Sequence, residues 1–86
     1  MGIGSLRRLG SPRPLAVRAD ADGVPLEITL GGRARRVIAI REDWLVQDLW
    51  WTDHPVDRRY FELVIDPGRH AVVYRDRIHD RWLVHP

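Results

Sequence analysis

Apolar and polar residues alternate with a period of two along much of this chain. No segment sustains the 3.6-residue period of an amphipathic helix. In residues 24–30, Leu26, Ile28 and Leu30 share one face, with Glu27 and Thr29 on the other. In residues 58–66, Phe61, Leu63 and Ile65 point one way and Tyr60, Glu62 and Val64 the other. Such alternation predicts half-buried strands. The run Val37, Ile38, Ala39, Ile40 is apolar on both sides, which predicts a strand buried on both faces or one that changes sheets. Residues 15–19 predict a short first strand and residues 81–84 a closing one. Beyond the polar break Arg41-Glu42-Asp43, residues 42–49 also admit a short helix, although no cap or stop frames it.

Turn chemistry joins these pieces. Asp20-Ala21-Asp22-Gly23 reads as a turn in which Asp side chains cap their own backbone and Gly takes the left-handed conformation. Gly31-Gly32 is a two-residue hairpin signal. Folding about it pairs Leu26 with Val37 and Glu27 with Arg36. The same register sets Arg33 and Arg35 on the apolar face, so either the rim opens there or a bulge shifts the frame; the bulge is the favoured expectation. Asp66-Pro67-Gly68-Arg69 is a second turn. Symmetric pairing about it matches Leu63 with Val72 and Phe61 with Tyr74. Residues 75–80 reverse the chain once more. The predicted fold is all-β, a small antiparallel meander of five or six strands curled into a partly open barrel. Residues 1–14, punctuated by Gly and Pro, are expected to be a flexible lead. Residues 15–86 then make a single small β domain.

Composition narrows the classes. Eighty-six residues hold one core, and a chain of this size buries about 60–65% of its extended surface. With 44% hydrophobic and 30% charged residues it falls in the globular class, away from disorder. It contains no cysteine, so disulfides, thiolate metal sites and cysteine nucleophiles are excluded. A small domain without disulfides fits a reducing compartment, and a cytoplasmic location is expected. No apolar run is long enough to span a bilayer. The first nine residues lack the hydrophobic stretch of a signal peptide, and Leu6 stands where a myristoylation pattern needs Ser or Thr. All 14 basic residues are arginine. Codon bias in a GC-rich genome explains this blandly; arginine's planar fork for phosphates, carboxylates and rings is the functional reading. A net charge of +2 is low for a dedicated DNA binder of this length.

Chemistry that turns over a substrate is not expected. Ser5 and Ser11 fall in the lead, where nothing orients a nucleophile. His54, His70, His79 and His85 lack the spacings of dedicated metal sites and read as surface histidines in turns. Asp43, Asp48, Asp53 and Asp57 read as loop caps and arginine partners, and Gly31-Gly32 is a hairpin, with no phosphate loop around it. No enzyme, metal, cofactor or small-molecule substrate is expected. What stands out is ring surface. Three of four tryptophans, Trp44, Trp50 and Trp51, fall within eight residues, followed by Arg58-Arg59-Tyr60-Phe61. Adjacent side chains of an extended chain leave opposite faces, so one indole of Trp50-Trp51 must turn outward. The candidate binding patch is Trp50, Trp51, Arg58, Arg59 and Tyr60, with Arg41 and Arg75. Trp, Tyr and Arg dominate protein–protein hot spots. A small barrel that stacks bases on Trp50 or Trp51, Tyr60 and Tyr74 and holds phosphates with Arg41, Arg58, Arg59 and Arg75 is the alternative. The acids Asp48, Asp53, Asp57 and Glu62 among these arginines suit a protein partner better than phosphates. A third possibility buries both tryptophans and dimerises the domain through an edge strand.

From Trp44 to Leu63 the string W-L-V-x-D-x-W-W-x-x-x-P-V-x-R-R-Y-F-E-L resembles the C-terminal extension of ImuB-type proteins, the inactive Y-family polymerase homologues of bacterial translesion repair. It also resembles short stand-alone bacterial proteins with the same core and no established activity. The likeness covers roughly residues 24–84, from a glycine-arginine hairpin at Gly32-Arg33 to Trp82 in the closing strand. It has no polymerase palm and no clamp-binding peptide. The resemblance implies a non-catalytic accessory module in DNA damage tolerance that docks to other translesion repair components.

Overall fold

Seven antiparallel strands and no helix make up residues 11–85, the part of the chain described in the computed structural model. The strands are β1 (Arg13–Pro14), β2 (Val17–Ala19), β3 (Pro25–Leu30), β4 (Arg33–Asp48), β5 (Val56–Ile65), β6 (Arg69–Asp76) and β7 (Arg81–His85). They form one sheet in the order β1-β7-β6-β5-β4-β3-β2, curled into a half-barrel. The expected all-β class is therefore present, with seven strands in place of five or six. The extra strand is β1, which falls in the expected lead and pairs with β7, while the strand expected at 15–19 is β2 and pairs with β3. Leu15 N–H donates to Trp82 O (3.2 Å) and Thr29 N–H to Ala16 O (3.0 Å). Pro14 and Val17 are three residues apart, a reach of about 10 Å. That short tether brings the β7 and β3 ends of the sheet together and curls it. Of the expected flexible lead, residues 1–10 lie outside the described residues, and Arg13 and Pro14 belong to the sheet.

The turns behave as their residues require. Asp20 Oδ1 accepts from the N–H of Asp22 (2.8 Å) and Val24 (2.9 Å), and Gly23 follows at φ 80. Gly31 and Gly32 both take positive φ, as a tight hairpin with matched twist demands. The pair Glu27–Arg36 forms as expected, and the β3–β4 ladder ends there, short of Leu26 and Val37. Arg33 and Arg35 do stay in register with Leu30 and Ile28, at a rim where Arg33 is exposed. Bulges occur later, between Val37 and Ala39 and between Ile40 and Glu42, on the side facing β5. β4 thus changes partner, from β3 over residues 33–36 to β5 over residues 37–48. It is not buried on both faces, since Ile38 and Ile40 are exposed. The helix considered at 42–49 is strand, because residues 42–48 pair with β5. About the second turn the true partners are Leu63 with Ala71 and Phe61 with Val73. The expected pairs were one residue off. The loop holds only Asp66, Pro67 and Gly68, closed by Gly68 N–H to Ile65 O (2.7 Å), so Ile65 pairs with Arg69.

One face of the sheet carries the core. Ile28, Phe61, Leu63, Ile65 and Val73 are fully buried there, with Leu15, Val17, Val37, Trp82 and Val84 packed against them. Each such side chain contributes about 1.5–3 kcal/mol by leaving water. The β5 alternation read from the sequence, Phe61, Leu63 and Ile65 inward, is the one observed.

Candidate functional site

Strand alternation divides the arginine-aromatic patch expected from the sequence between two faces. Arg58 and Tyr60 leave β5 on the outer face, Arg59 on the core face. On the outer face, Trp44, Tyr60, Tyr74, Leu83 and Pro14 are successive cross-strand partners from β4 to β1. Trp44 and Tyr60 stack with centroids 5.3 Å apart and planes 8° from parallel, and Tyr60 lies 4.8 Å from Tyr74. Arg58 covers the Tyr74 ring at 4.9 Å, and its Nη1 reaches Tyr60 Oη at 3.5 Å. That hydrogen bond raises the Arg58 pKa above its ordinary value. Burial pushes the Tyr74 hydroxyl up. Cross-strand ring pairs of this kind stabilise a sheet, and this row seals the outer face of its centre.

On the core face, Arg59 makes a two-pronged bond to Asp43 (Nε–Oδ1 3.2 Å, Nη2–Oδ2 2.8 Å) and donates from Nη1 to Asp22 O (2.8 Å). The Asp43 bond holds its pKa above the ordinary value. Arg75 stands directly opposite Arg59 and is paired with Asp80. Arg41 sits apart, at the second bulge of β4, and is exposed. The expected patch is therefore not one surface.

Trp50 and Trp51 are both outward, 54% and 79% exposed. The expectation that at least one indole would turn outward holds, although its premise of extended backbone does not. They lie in the turn after β4, where Leu49 adopts φ 56. Asp48 Oδ1 accepts from Leu49 N–H (2.7 Å), Thr52 N–H and Oγ1 donate to Leu49 O (3.1 and 2.9 Å), and His54 N–H donates to Thr52 Oγ1 (3.1 Å). This network fixes the loop and holds both indoles away from the sheet, so the reading with both tryptophans buried is overturned.

The feature that the sequence reading missed is an edge. β3 pairs β4 only as far as Arg36, and among the described residues no strand covers that side of β4 from residue 38 to 48. Every residue from 38 to 54 is exposed, although the stretch holds Ile38, Ile40, Trp44, Leu45, Val46, Trp50 and Trp51. The signal was present: a stretch of β length, rich in large apolar residues, extending far beyond what the six residues of β3 could cover. Asp76 was missed as well. It is buried at 7% exposure and accepts from the N–H of Ile78 and His79 and from His79 Nδ1. Among the described residues no group of His, Asp and Glu converges as a metal site, and no helix is long and apolar enough to cross a membrane. Set beside known proteins, the chain matches no family, no curated protein and no solved structure.

Proposed function

We propose that this chain is a non-catalytic protein-interaction module that docks a partner along the free edge of β4 and the Trp50-Trp51 loop. The observation that carries the proposal is the uncovered backbone edge over residues 38–48, bordered by exposed apolar side chains and ending at two outward indoles. An unpaired edge offers a row of N–H and C=O groups to an added strand. The two bulges and the charged Arg41-Glu42-Asp43 interrupt its first half, as natural edges do to resist indiscriminate pairing. The second half, from Trp44 onward, is regular and opens with the apolar Trp44, Leu45 and Val46. An extended segment of the partner would pair there and cover Leu45, with Trp51 as the anchor. Resemblance to the ImuB-type extension supports a translesion repair component as that partner.

The test is affinity capture from a GC-rich bacterial lysate by the full chain, with mass-spectrometric identification. A translesion repair component should be retained by the native chain and lost with Trp51→Ala and with Leu45→Glu. An identical set captured by all three would overturn the proposal.

The base-stacking alternative has fewer rings to use. Tyr74 is 2% exposed, and Tyr60 lies between Trp44 and Tyr74. Among the described residues the exposed Trp and Tyr rings are Trp44, Trp50 and Trp51. Titration of labelled single-stranded DNA distinguishes the readings, because phosphate contacts weaken steeply with salt through counterion release. The expected result is no saturable binding even at low salt. Tight binding at low salt that collapses as salt rises would favour the alternative.

A further inference from the structure

At the end of the core face, Arg59, Arg75 and Arg77 line one cleft of about 310 Å³ with Ala21, Asp22 and Gly23 of the β2–β3 turn. Arg59 and Arg75 are direct cross-strand partners. Like charges placed opposite one another destabilise a sheet, so this pair needs compensation. Arg77 returns to the same side two residues later. Each guanidinium is held by one carboxylate: Arg59 by Asp43, Arg75 by Asp80, and Arg77 by Asp57 at 3.6 Å. None of those carboxylates lines the cleft, and Asp22 is the one acid that does. Those carboxylates already offset the three arginines, so what the cleft offers is unused guanidinium donors. Arg75 Nη1 and Arg77 Nη2 have no acceptor among the described residues. Gly23, at φ 80, turns the loop back toward Arg59, which anchors it through Asp22 O.

We propose that this cleft binds a terminal, doubly charged phosphate, with Arg75 and Arg77 as the gripping residues and Arg59 as the fixed wall. Arg59 and Arg75 are cross-strand neighbours about 5 Å apart, and Arg77, in the turn after β6, lines the same cleft, so one tetrahedral anion in the cleft faces all three forks. Guanidinium donors match phosphate oxygens in pairs. The site is separate from the free edge of β4.

Calorimetric titration of the full chain at constant ionic strength tests it, with inorganic phosphate, pyrophosphate and adenosine 5′-monophosphate as probes and chloride as the reference. Saturable one-to-one binding of at least one probe is expected. Arg75→Gln and Arg77→Gln should each weaken it about tenfold, the scale of one charge-assisted hydrogen bond, with the melting temperature recorded to show that each variant folds. Equal affinity for phosphate and the nucleotide assigns the free ion as ligand, and a tighter nucleotide assigns the nucleotide. Trp51→Ala should leave phosphate binding unchanged, which separates this result from the fate of the docking edge. Absence of saturation with all three probes, or unchanged affinity in both arginine variants, would overturn the proposal.

Discussion

Phe61→Ala should lower the stability of the domain by about 3–5 kcal/mol, the range for deleting a buried aromatic ring. Phe61 is fully enclosed at the centre of the core. Its ring lies 5.8 Å from Trp82 and 4.7 Å beneath the Arg59 guanidinium, so alanine would leave a cavity and loosen the residue that anchors the β2–β3 turn. Small domains have about 5–15 kcal/mol in total, and a chain with so small a core belongs low in that range. A large fraction of the variant should therefore be unfolded in plain buffer at 25 °C. Trp51→Ala removes a bigger ring, yet Trp51 is 79% exposed, and its loss should change stability by no more than about 0.5 kcal/mol. Urea unfolding of the three proteins checks both numbers. A Trp51 variant as damaged as the Phe61 variant would show that the loop packs on the sheet in solution.

The contrast between these two rings marks what could be read from the chain. Alternation at Phe61, Leu63 and Ile65 identified the buried face of β5, because one-sided burial leaves a period-two signature. Gly31-Gly32 and Asp20 to Gly23 located two turns, because their backbone conformations demand those residues. Register was harder. A loop of three residues and one of four leave nearly the same sequence signature about Asp66-Pro67-Gly68, yet they differ by one in every cross-strand pair. The β1–β7 contact is long-range and set by the curl of the sheet, so nothing local to Arg13 and Pro14 announces it.

The candidate site was legible in its residues and not in its grouping. That at least one of Trp50 and Trp51 turns outward followed from the sequence, which left open which one; the reason given, extended backbone, is not the one that operates, and a hydrogen-bonded loop holds both indoles outward. Arg58 and Arg59 were grouped although adjacent strand residues face opposite ways, the same rule applied to the tryptophans. The free edge of β4 depends on how far β3 extends beside it. That is a comparison between strands, invisible in either alone. Arg77, Arg75 and Arg59 share a cleft because residues far apart in the chain meet across the β5–β6 ladder and the β2–β3 turn.

Asp76→Ala should cost about 1–3 kcal/mol or somewhat more, although the residue belongs to neither the core cluster nor the docking edge. Its carboxylate closes the turn into β7 by accepting from Ile78 N–H (3.0 Å), His79 N–H (3.2 Å) and His79 Nδ1 (2.8 Å). It also lies 3.8 Å from Arg81 Nε and opposite Arg58 in the ladder. Alanine would leave those donors without an acceptor and two guanidinium groups without their shared counter-charge. Burial pushes the Asp76 pKa up, but the bonds from the His79 ring and from the two backbone N–H groups outweigh it and hold the pKa below the ordinary carboxylate value. A carboxylate depressed in the folded state contributes stability that is complete above its unfolded pKa and is lost as pH falls through the folded one. The gap between native and variant proteins should therefore be constant near neutrality, begin to narrow once pH drops below about 4, the ordinary Asp value, and continue to close at lower pH. Denaturant unfolding of both proteins across that interval measures it. A gap that stayed constant down to strongly acidic pH would show that the ionised form of Asp76 has no preferential role in holding the turn.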